Sequence, residues 1–252
     1  MHLQAIPDLP SVSPGDDLAS MIIDLITADG MEVLDGDILV IAQKIVSKSE
    51  DRYVDLNSIT PSANAVKLAA SVDKDPHLVE VILSESSEVM RHAPGVLIVE
   101  HRLGYVMANA GVDVSNLEPA ATDSERVLLL PQNPDVTATR LREEFENKFG
   151  RRIGVIISDS VGRAWRNGSI GMALGVAGPP ALWDRIGETD LFGRSLRVTQ
   201  IGFADQIASA AALVMGEGAE GLPVVKVSGL SWESVDTHGE IVLRDKELDL
   251  FR

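Results

Sequence analysis

The sequence predicts a mixed α/β protein, and three observations carry that prediction. Short apolar runs over residues 36–42, 153–157 and 223–227 read as buried strands. Amphipathic or alanine-rich stretches over residues 18–27, 135–149 and 205–215 read as helices. The two kinds alternate along 252 residues with no internal repeat and no low-complexity linker, which favours helices layered on sheets. A single module over residues 1–252 is expected, with any subdomain boundary invisible in composition.

Composition limits the function classes. Apolar residues make up 45%, an ordinary globular value, so a packed core is expected rather than disorder. The formal charge of −16 argues against a general nucleic-acid or anionic-membrane binder. An anionic substrate therefore requires a local basic pocket working against the overall field. With no cysteine, thiolate metal sites, disulfides and cysteine nucleophiles are all excluded. No apolar run approaches the roughly 20 residues of a membrane span. No signal peptide is read at the start, and a cytoplasmic location is expected.

Taken in order, residues 6–12 are punctuated by Pro7 and Pro10 and read as extended chain. Asp16 or Asp17 caps the helix over 18–27. The strand over 36–42 runs into Gln43, Lys44, Ser47 and Lys48. Lys44 and Lys48 are either a solvated i, i+4 pair or, with Ser47, a group that holds phosphate. Residues 62–92 read as helices, with Glu80, Glu85 and Glu88 on a solvated face and His77 and His92 at the surface or capping. Strands follow over 96–99 and 105–108, joined through a turn at Leu103 and Gly104. The stretch Asn109 to Asn116, NAGVDVSN, is either an ordinary Asx-rich loop or a metal- or nucleotide-binding one.

A short strand over 127–130 precedes the helix that begins at 135 or 137 and is closed by Gly150. The apolar run over 153–157 then ends at Asp159 and Ser160, followed by Arg163, Arg166 and five glycines up to Gly178. A carboxylate at a strand end suits a divalent metal, and nearby guanidinium groups suit phosphate. Residues 196–201 read as a strand, and the charged C-terminal end as a partly ordered tail that Trp232 docks.

Gly216, Gly218 and Gly221 fit G-x-G-x-x-G, but a helix precedes them and a strand follows, the reverse of a dinucleotide fingerprint. What survives is a glycine-rich turn that exposes backbone N–H groups, with Glu217 as an acidic ligand, or else a plain helix end. No Walker, zincin or nucleophile-elbow motif is present. Asp113, Asp159 with Ser160, and Glu217 all follow regular elements. Oxygen-only ligands of this kind suit Mg²⁺ or Mn²⁺ bridged to substrate phosphates. The residues alone therefore suggest a metal- and nucleotide-dependent enzyme, such as a nucleotide phosphohydrolase, and leave open a non-catalytic nucleotide-binding protein.

Five segments in this order, LPSVSPGDDL, GDILVIAQKIVSKSE, NAGVDVSN, GVIISDSVGRAWRNGSIG and ADQIASAAALVMGEGAEGLPVVKVSG, resemble the coenzyme F-420:L-glutamate ligase (CofE) family. The resemblance implies that family's mixed-sheet fold flanked by helices, an intertwined homodimer, and a GTP-dependent amide ligase. Such an enzyme attaches L-glutamate to the terminal carboxylate of a deazaflavin precursor through an acyl phosphate, then adds γ-linked glutamates. It further implies two Mg²⁺ or Mn²⁺ sites, a monovalent cation such as K⁺, and no nucleic-acid or membrane partner.

By matching positions, Leu9, Pro10, Ser11, Val12, Gln43, Lys44, Lys48, Asn116, Gly216, Gly218 and Gly221 are expected to hold the nucleotide. Asp113 and Asp159 match ligands of one metal, and Ser160 and Glu217 ligands of a second. Asp159, Lys48, Arg163 and Arg166 are the expected catalytic groups, the two arginines facing the phosphorylated precursor or the incoming glutamate. Ser160 stands where relatives have threonine, and Gln43 and Lys44 replace small hydroxyl residues. Some relatives carry a further flavin-reductase-like domain, which is not expected in this chain.

Overall fold

The computed structural model describes residues 1–115, 125–235 and 238–250. In chain order the elements are β1 (His2–Ala5), α1 (Leu18–Ala28), β2 (Ile38–Ala42), α2 (Gln43–Ser49), β3 (Tyr53–Asp55), α3 (Ala63–Val72), α4 (Pro76–Ser84), β4 (Ser86–Ala93), β5 (Val96–His101) and β6 (Val106–Ala108). There follow β7 (Arg126–Leu128), α5 (Pro134–Phe149), β8 (Gly154–Arg163), β9 (Arg166–Ala177), β10 (Leu182–Asp184), β11 (Gln200–Gly202), α6 (Phe203–Met215) and β12 (Val224–Ser228). The mixed α/β class expected from the sequence is what is observed.

The central sheet has the order β1-β12-β2-β8-β9, with β2 and β8 parallel and every other pair antiparallel. Successive residues of a strand face opposite sides, so a strand covered on both faces must be apolar throughout. β2 meets that demand. Leu39 and Ile41 join a core with Ile22 and Ile26 of α1 and Leu141 and Phe145 of α5. Ile38 and Val40 join the opposite core, with Ile207, Ala208 and Ala211 of α6 and with Trp232. Trp232 docks as expected, its indole N–H donating to the Gly36 carbonyl at 2.8 Å while the Arg152 guanidinium stacks 4.5 Å from its ring.

A second body packs α3 and α4 against the β4-β5-β6 sheet around Val72, Val79, Ile82, Leu97 and Val99. Its helices begin where short side chains satisfy free N–H groups: Ser62 accepts from Ala65 N, and Asp75 accepts from His77 N ahead of Pro76. Several sequence expectations are corrected in this fold. Residues 86–93 form a strand rather than the end of a helix, because the turn before Val96 folds them back against β5. Glu85 is no solvated helix-face residue: its carboxylate meets Arg52 at 3.0 Å, Arg102 at 3.1 Å and buried His101 at 3.4 Å. β1, unexpected in the sequence, pairs with β12. Residues 196–199 are not strand, and only 200–202 pair, with β10.

A further correction bears on the site. β8 does not end before Asp159 but continues to Arg163, because antiparallel pairing with β9 runs on to the Arg163–Arg166 rung. Two of the glycines after Asp159 serve packing. A side chain at Gly171 would place its Cβ 2.3 Å from the Ala208 carbonyl oxygen of α6, and one at Gly175 would lie 2.4 Å from the Pro134 backbone of α5. Both helices therefore approach β9 closely enough to need bare backbone there.

Candidate active site

The last parallel rung between β2 and β8 pairs Ala42 with Ser158. Beyond it the two chains separate, since Gln43 opens α2 while Asp159 stays in the β8–β9 ladder. Openings at the carboxyl ends of parallel strands are where α/β sheets place ligands. β12 runs antiparallel to β2, and Ala42 N–H donates to the Pro223 carbonyl at 2.8 Å, which brings the turn after α6 to the same end.

The resulting cavity of about 430 Å³ is lined by Gln43, Lys44, Lys48, Asp159, Ser160 and the stretch 215–219 with 221–223. Glu217, Gly216, Gly218 and Gly221 thus share one wall space with residues more than fifty positions earlier. Ala212 and Met215 of α6 add apolar surface that the sequence did not single out as site-forming. A smaller cavity of about 140 Å³ adjoins it, lined by Asp113 and Met107 and sharing Lys44, Asp159 and Ser160 with the first.

Asp113 is held from both sides. Its backbone exchanges two 2.9 Å hydrogen bonds with Leu128, and its carboxylate accepts from the Gln43 amide at 3.0 Å and meets the Lys44 ammonium at 3.3 Å. Lys44 also donates to the Ser115 hydroxyl at 3.1 Å. Burial raises the Asp113 carboxyl above its ordinary range, against the lowering effects of Lys44, Gln43 and Ser115. Asp159 is pushed up to about 7, first by burial and then by the charge of Asp113; the Ser160 N–H, Lys44 and the Gln43 amide act the other way. The two carboxylates are therefore close neighbours that resist both being charged.

Two coupled carboxylates with a hydroxyl beside them form a hard-oxygen donor set, and Glu217 lines the same cavity. Among the described residues, no group of three or more His, Cys, Asp or Glu is assembled to hold a metal ion. Mg²⁺ and Mn²⁺ are commonly shared between one or two protein carboxylates and substrate phosphates. The basic pocket demanded by the net charge is present as Lys44 and Lys48. Among the described residues Lys48 makes no ion pair, so its ammonium is available to an anion.

Other expected residues lie elsewhere. Val12 is buried in the core around α1 and Leu9 packs against it, while Pro10 and Ser11 line neither cavity. Arg163 and Arg166 flank the β8–β9 turn beyond both cavities, and the Arg163 guanidinium donates to the Gly168 carbonyl of its own hairpin at 2.9 Å. Asn116 lies outside the described residues. Ser47, weighed in the sequence as a phosphate group, is fully buried and bonded to Gln43 instead.

Comparison with known proteins agrees with the order of these segments. The sequence model of the F420-0:Gamma-glutamyl ligase family matches residues 8–229. The coenzyme F420:L-glutamate ligase of Methanothermobacter thermautotrophicus is 44% identical over 254 residues, covering 100% of this chain and 99% of that protein. The protein of that name from Methanocaldococcus jannaschii is 46% identical over 86% of this chain and 85% of its own length. That of Methanopyrus kandleri is 41% identical over 100% of this chain and 98% of its own.

Proposed function

Since the chain belongs to the F420-0:Gamma-glutamyl ligase family, we propose that it is a GTP-dependent ligase joining L-glutamate to the terminal carboxylate of a deazaflavin precursor. The observation that carries this reading is the convergence of Asp159, Ser160, Lys44, Lys48 and the 216–221 turn on one cavity, with Asp113 alongside. That cavity joins acidic oxygen ligands, the unpaired Lys48 ammonium and a glycine-rich turn whose Gly216 and Gly218 N–H groups are bonded to the Ala212 carbonyl and the Glu220 carboxylate, and the first two are needs of a bound triphosphate.

In this reading a carboxylate oxygen of the precursor attacks the γ-phosphorus of GTP. The β–γ bridging bond breaks, giving an acyl phosphate and GDP. The glutamate amine then attacks the acyl carbon, phosphate leaves with the C–O bonding pair, and the amine proton passes to solvent. Lys48 and Lys44 bind and orient the phosphates beside the 216–221 turn. Apolar Ala212 and Met215 exclude water from one side of the cavity, which protects an acyl phosphate from hydrolysis. Asp113, Asp159, Ser160 and Glu217 would hold Mg²⁺ or Mn²⁺, which when bound offsets charge on the transferring phosphoryl group. The reading includes a homodimer, and Leu191, Phe192 and Val198 are large apolar side chains that the single chain leaves exposed.

The test is a reaction containing purified protein, GTP, Mn²⁺, L-glutamate and the deazaflavin precursor, with products identified by mass spectrometry. Precursor gaining glutamate residues, with GTP cleavage requiring both co-substrates, is the expected result. GTP cleavage indifferent to precursor and glutamate would instead indicate a nucleotide phosphohydrolase.

A further inference from the structure

Gln43 and Ser47 stand one helical turn apart on α2, both withdrawn from solvent: Gln43 is 1% exposed and Ser47 0%. The Ser47 hydroxyl donates to Gln43 Oε1 at 2.9 Å, and Gln43 Nε2 donates to Asp113 Oδ2 at 3.0 Å. The direction of this chain is fixed by its ends. An ionised carboxylate only accepts, so the amide must turn its NH₂ toward Asp113. That leaves the amide oxygen facing Ser47, whose hydroxyl is then the donor.

We propose that Gln43 and Ser47 are positioning residues that fix the rotamer of Asp113, an inference that rests on the reading of Asp113 as a divalent-cation ligand. Three features distinguish this role from the nucleotide contact expected of Gln43. The side chain has almost no surface to offer a ligand. Both ends of its amide are engaged by the protein. The carboxylate it reaches stands 70 residues away in sequence, beside the smaller cavity. With Oδ2 tied to the amide, Oδ1 is the oxygen that meets Lys44. Rotation about the Asp113 side chain is thereby blocked from two directions. Partners of this kind, one bond behind a ligand, raise metal affinity by orienting it and typically change that affinity 10- to 100-fold when lost. Leucine or methionine at position 43 would preserve the core volume but leave the carboxylate free to turn.

The probe is Mn²⁺ alone, titrated into the full chain and followed by the paramagnetic resonance of the free ion. Gln43→Met and Ser47→Ala are compared with the unaltered protein, and thermal unfolding checks that each variant is folded. Both substitutions are expected to weaken Mn²⁺ binding about tenfold or more, with Asp113→Asn as the limiting case. Because Ser47 acts through the amide, Ser47→Ala is expected to add little once Gln43→Met is present, whereas two unrelated packing defects would add. Unchanged Mn²⁺ affinity in folded Gln43→Met overturns the proposal and leaves the ligase reading standing. Full additivity in the double variant also overturns it. Failure of the unaltered protein to bind Mn²⁺, with or without GTP, overturns both this proposal and the metal assignment beneath it.

Discussion

Ala42 and Ser158 pair as the final rung of the parallel β2–β8 ladder, and the site occupies the space that opens directly past them. On the β8 side the register against β9 slips by one residue between Ile157 and Ser158, so that Leu174 is left out of the ladder. The freed Leu174 carbonyl accepts the Tyr105 hydroxyl at 2.5 Å, which ties the β5–β6 region to β9. A bulge of this kind re-aims the side chains after it, here Asp159 and Ser160. The same slip thus orients the carboxylate and fastens the segment that leads to Asp113.

Asp159→Asn removes one of two coupled carboxylates while keeping its shape. Ligase turnover is expected to fall on the order of a thousandfold, the scale of losing a principal electrostatic group in an active site. Stability should hold or rise, because burial and then the Asp113 charge push Asp159 up to about 7, and asparagine removes both the buried charge and the repulsion. Product formation by mass spectrometry and thermal unfolding of the same preparation check the pair of outcomes. Turnover near that of the unaltered protein would remove Asp159 from the site.

Lys48 lines the larger cavity and makes no ion pair among the described residues, unlike Lys44. Lys48→Met is therefore expected to act on nucleotide binding alone, raising the KM for GTP roughly tenfold for the loss of one charge-assisted contact. Lys44→Met also strips Asp113 of its counter-charge, so it should impair both GTP and Mn²⁺ binding. Steady-state kinetics with GTP and Mn²⁺ varied separately distinguish the two. Identical behaviour of the two variants would contradict the geometry.

How far the sequence discloses this arrangement depends on the range of the forces involved. β2 and the start of β8 are legible because burial on both faces leaves no polar position in the run. Helix starts at Asp17 and Ser62 are equally local, each set by one side chain and the N–H three residues on, whereas α5 starts at Pro134 behind its Asn133 cap rather than at 135 or 137 as expected. β4 is illegible for the opposite reason: its residues are mostly exposed and show no alternation, so only pairing with β5 defines it. Asp113, Asp159, Ser160 and Glu217 can be picked out by matching a family pattern, and the fold brings all four to adjoining cavities. The ties among Gln43, Ser47 and Asp113 carry no local signal, since an i, i+4 pair on a helix looks the same whether it faces solvent or a carboxylate from another sheet. The glycines after Asp159 carry no local sign of their purpose, and at Gly171 and Gly175 the need for bare backbone comes from helices distant in sequence.

Gly171 offers a direct check of that packing argument. Gly171→Ala forces a Cβ to within 2.3 Å of a helix carbonyl that cannot rotate away, so α6 must shift from β9. A loss of about 1–3 kcal/mol is expected, as for overpacking elsewhere in tight cores. Gly162→Ala, on the same hairpin with nothing within 4 Å of its added Cβ, should stay within about 0.5 kcal/mol. Denaturant unfolding of both variants decides the matter, and equal stabilities would show that α6 does not rest on bare β9 backbone.

Glu85 sets a pH dependence. Burial alone would raise its carboxyl, but the hydrogen bond with His101 and the charges of Arg102 and Arg52 outweigh burial and hold it down to about 2. A carboxyl depressed in the folded state stabilises the fold above its ordinary value of 4.5, and that contribution drains away as the pH falls from there toward 2. Allowing for solvent around Arg102, it amounts to something on the order of 2 kcal/mol at neutral pH. Glu85→Gln discards the charge and leaves two guanidinium groups unpaired, so it should unfold several degrees below the unaltered protein at pH 7. The gap should narrow steadily below pH 4.5, as the carboxyl of the unfolded chain takes up its proton while the folded one still holds its charge. Thermal scans from pH 7 to pH 2.5 measure this directly, and a gap that stays constant across the range would mean that the cluster is held by packing rather than by the Glu85 charge.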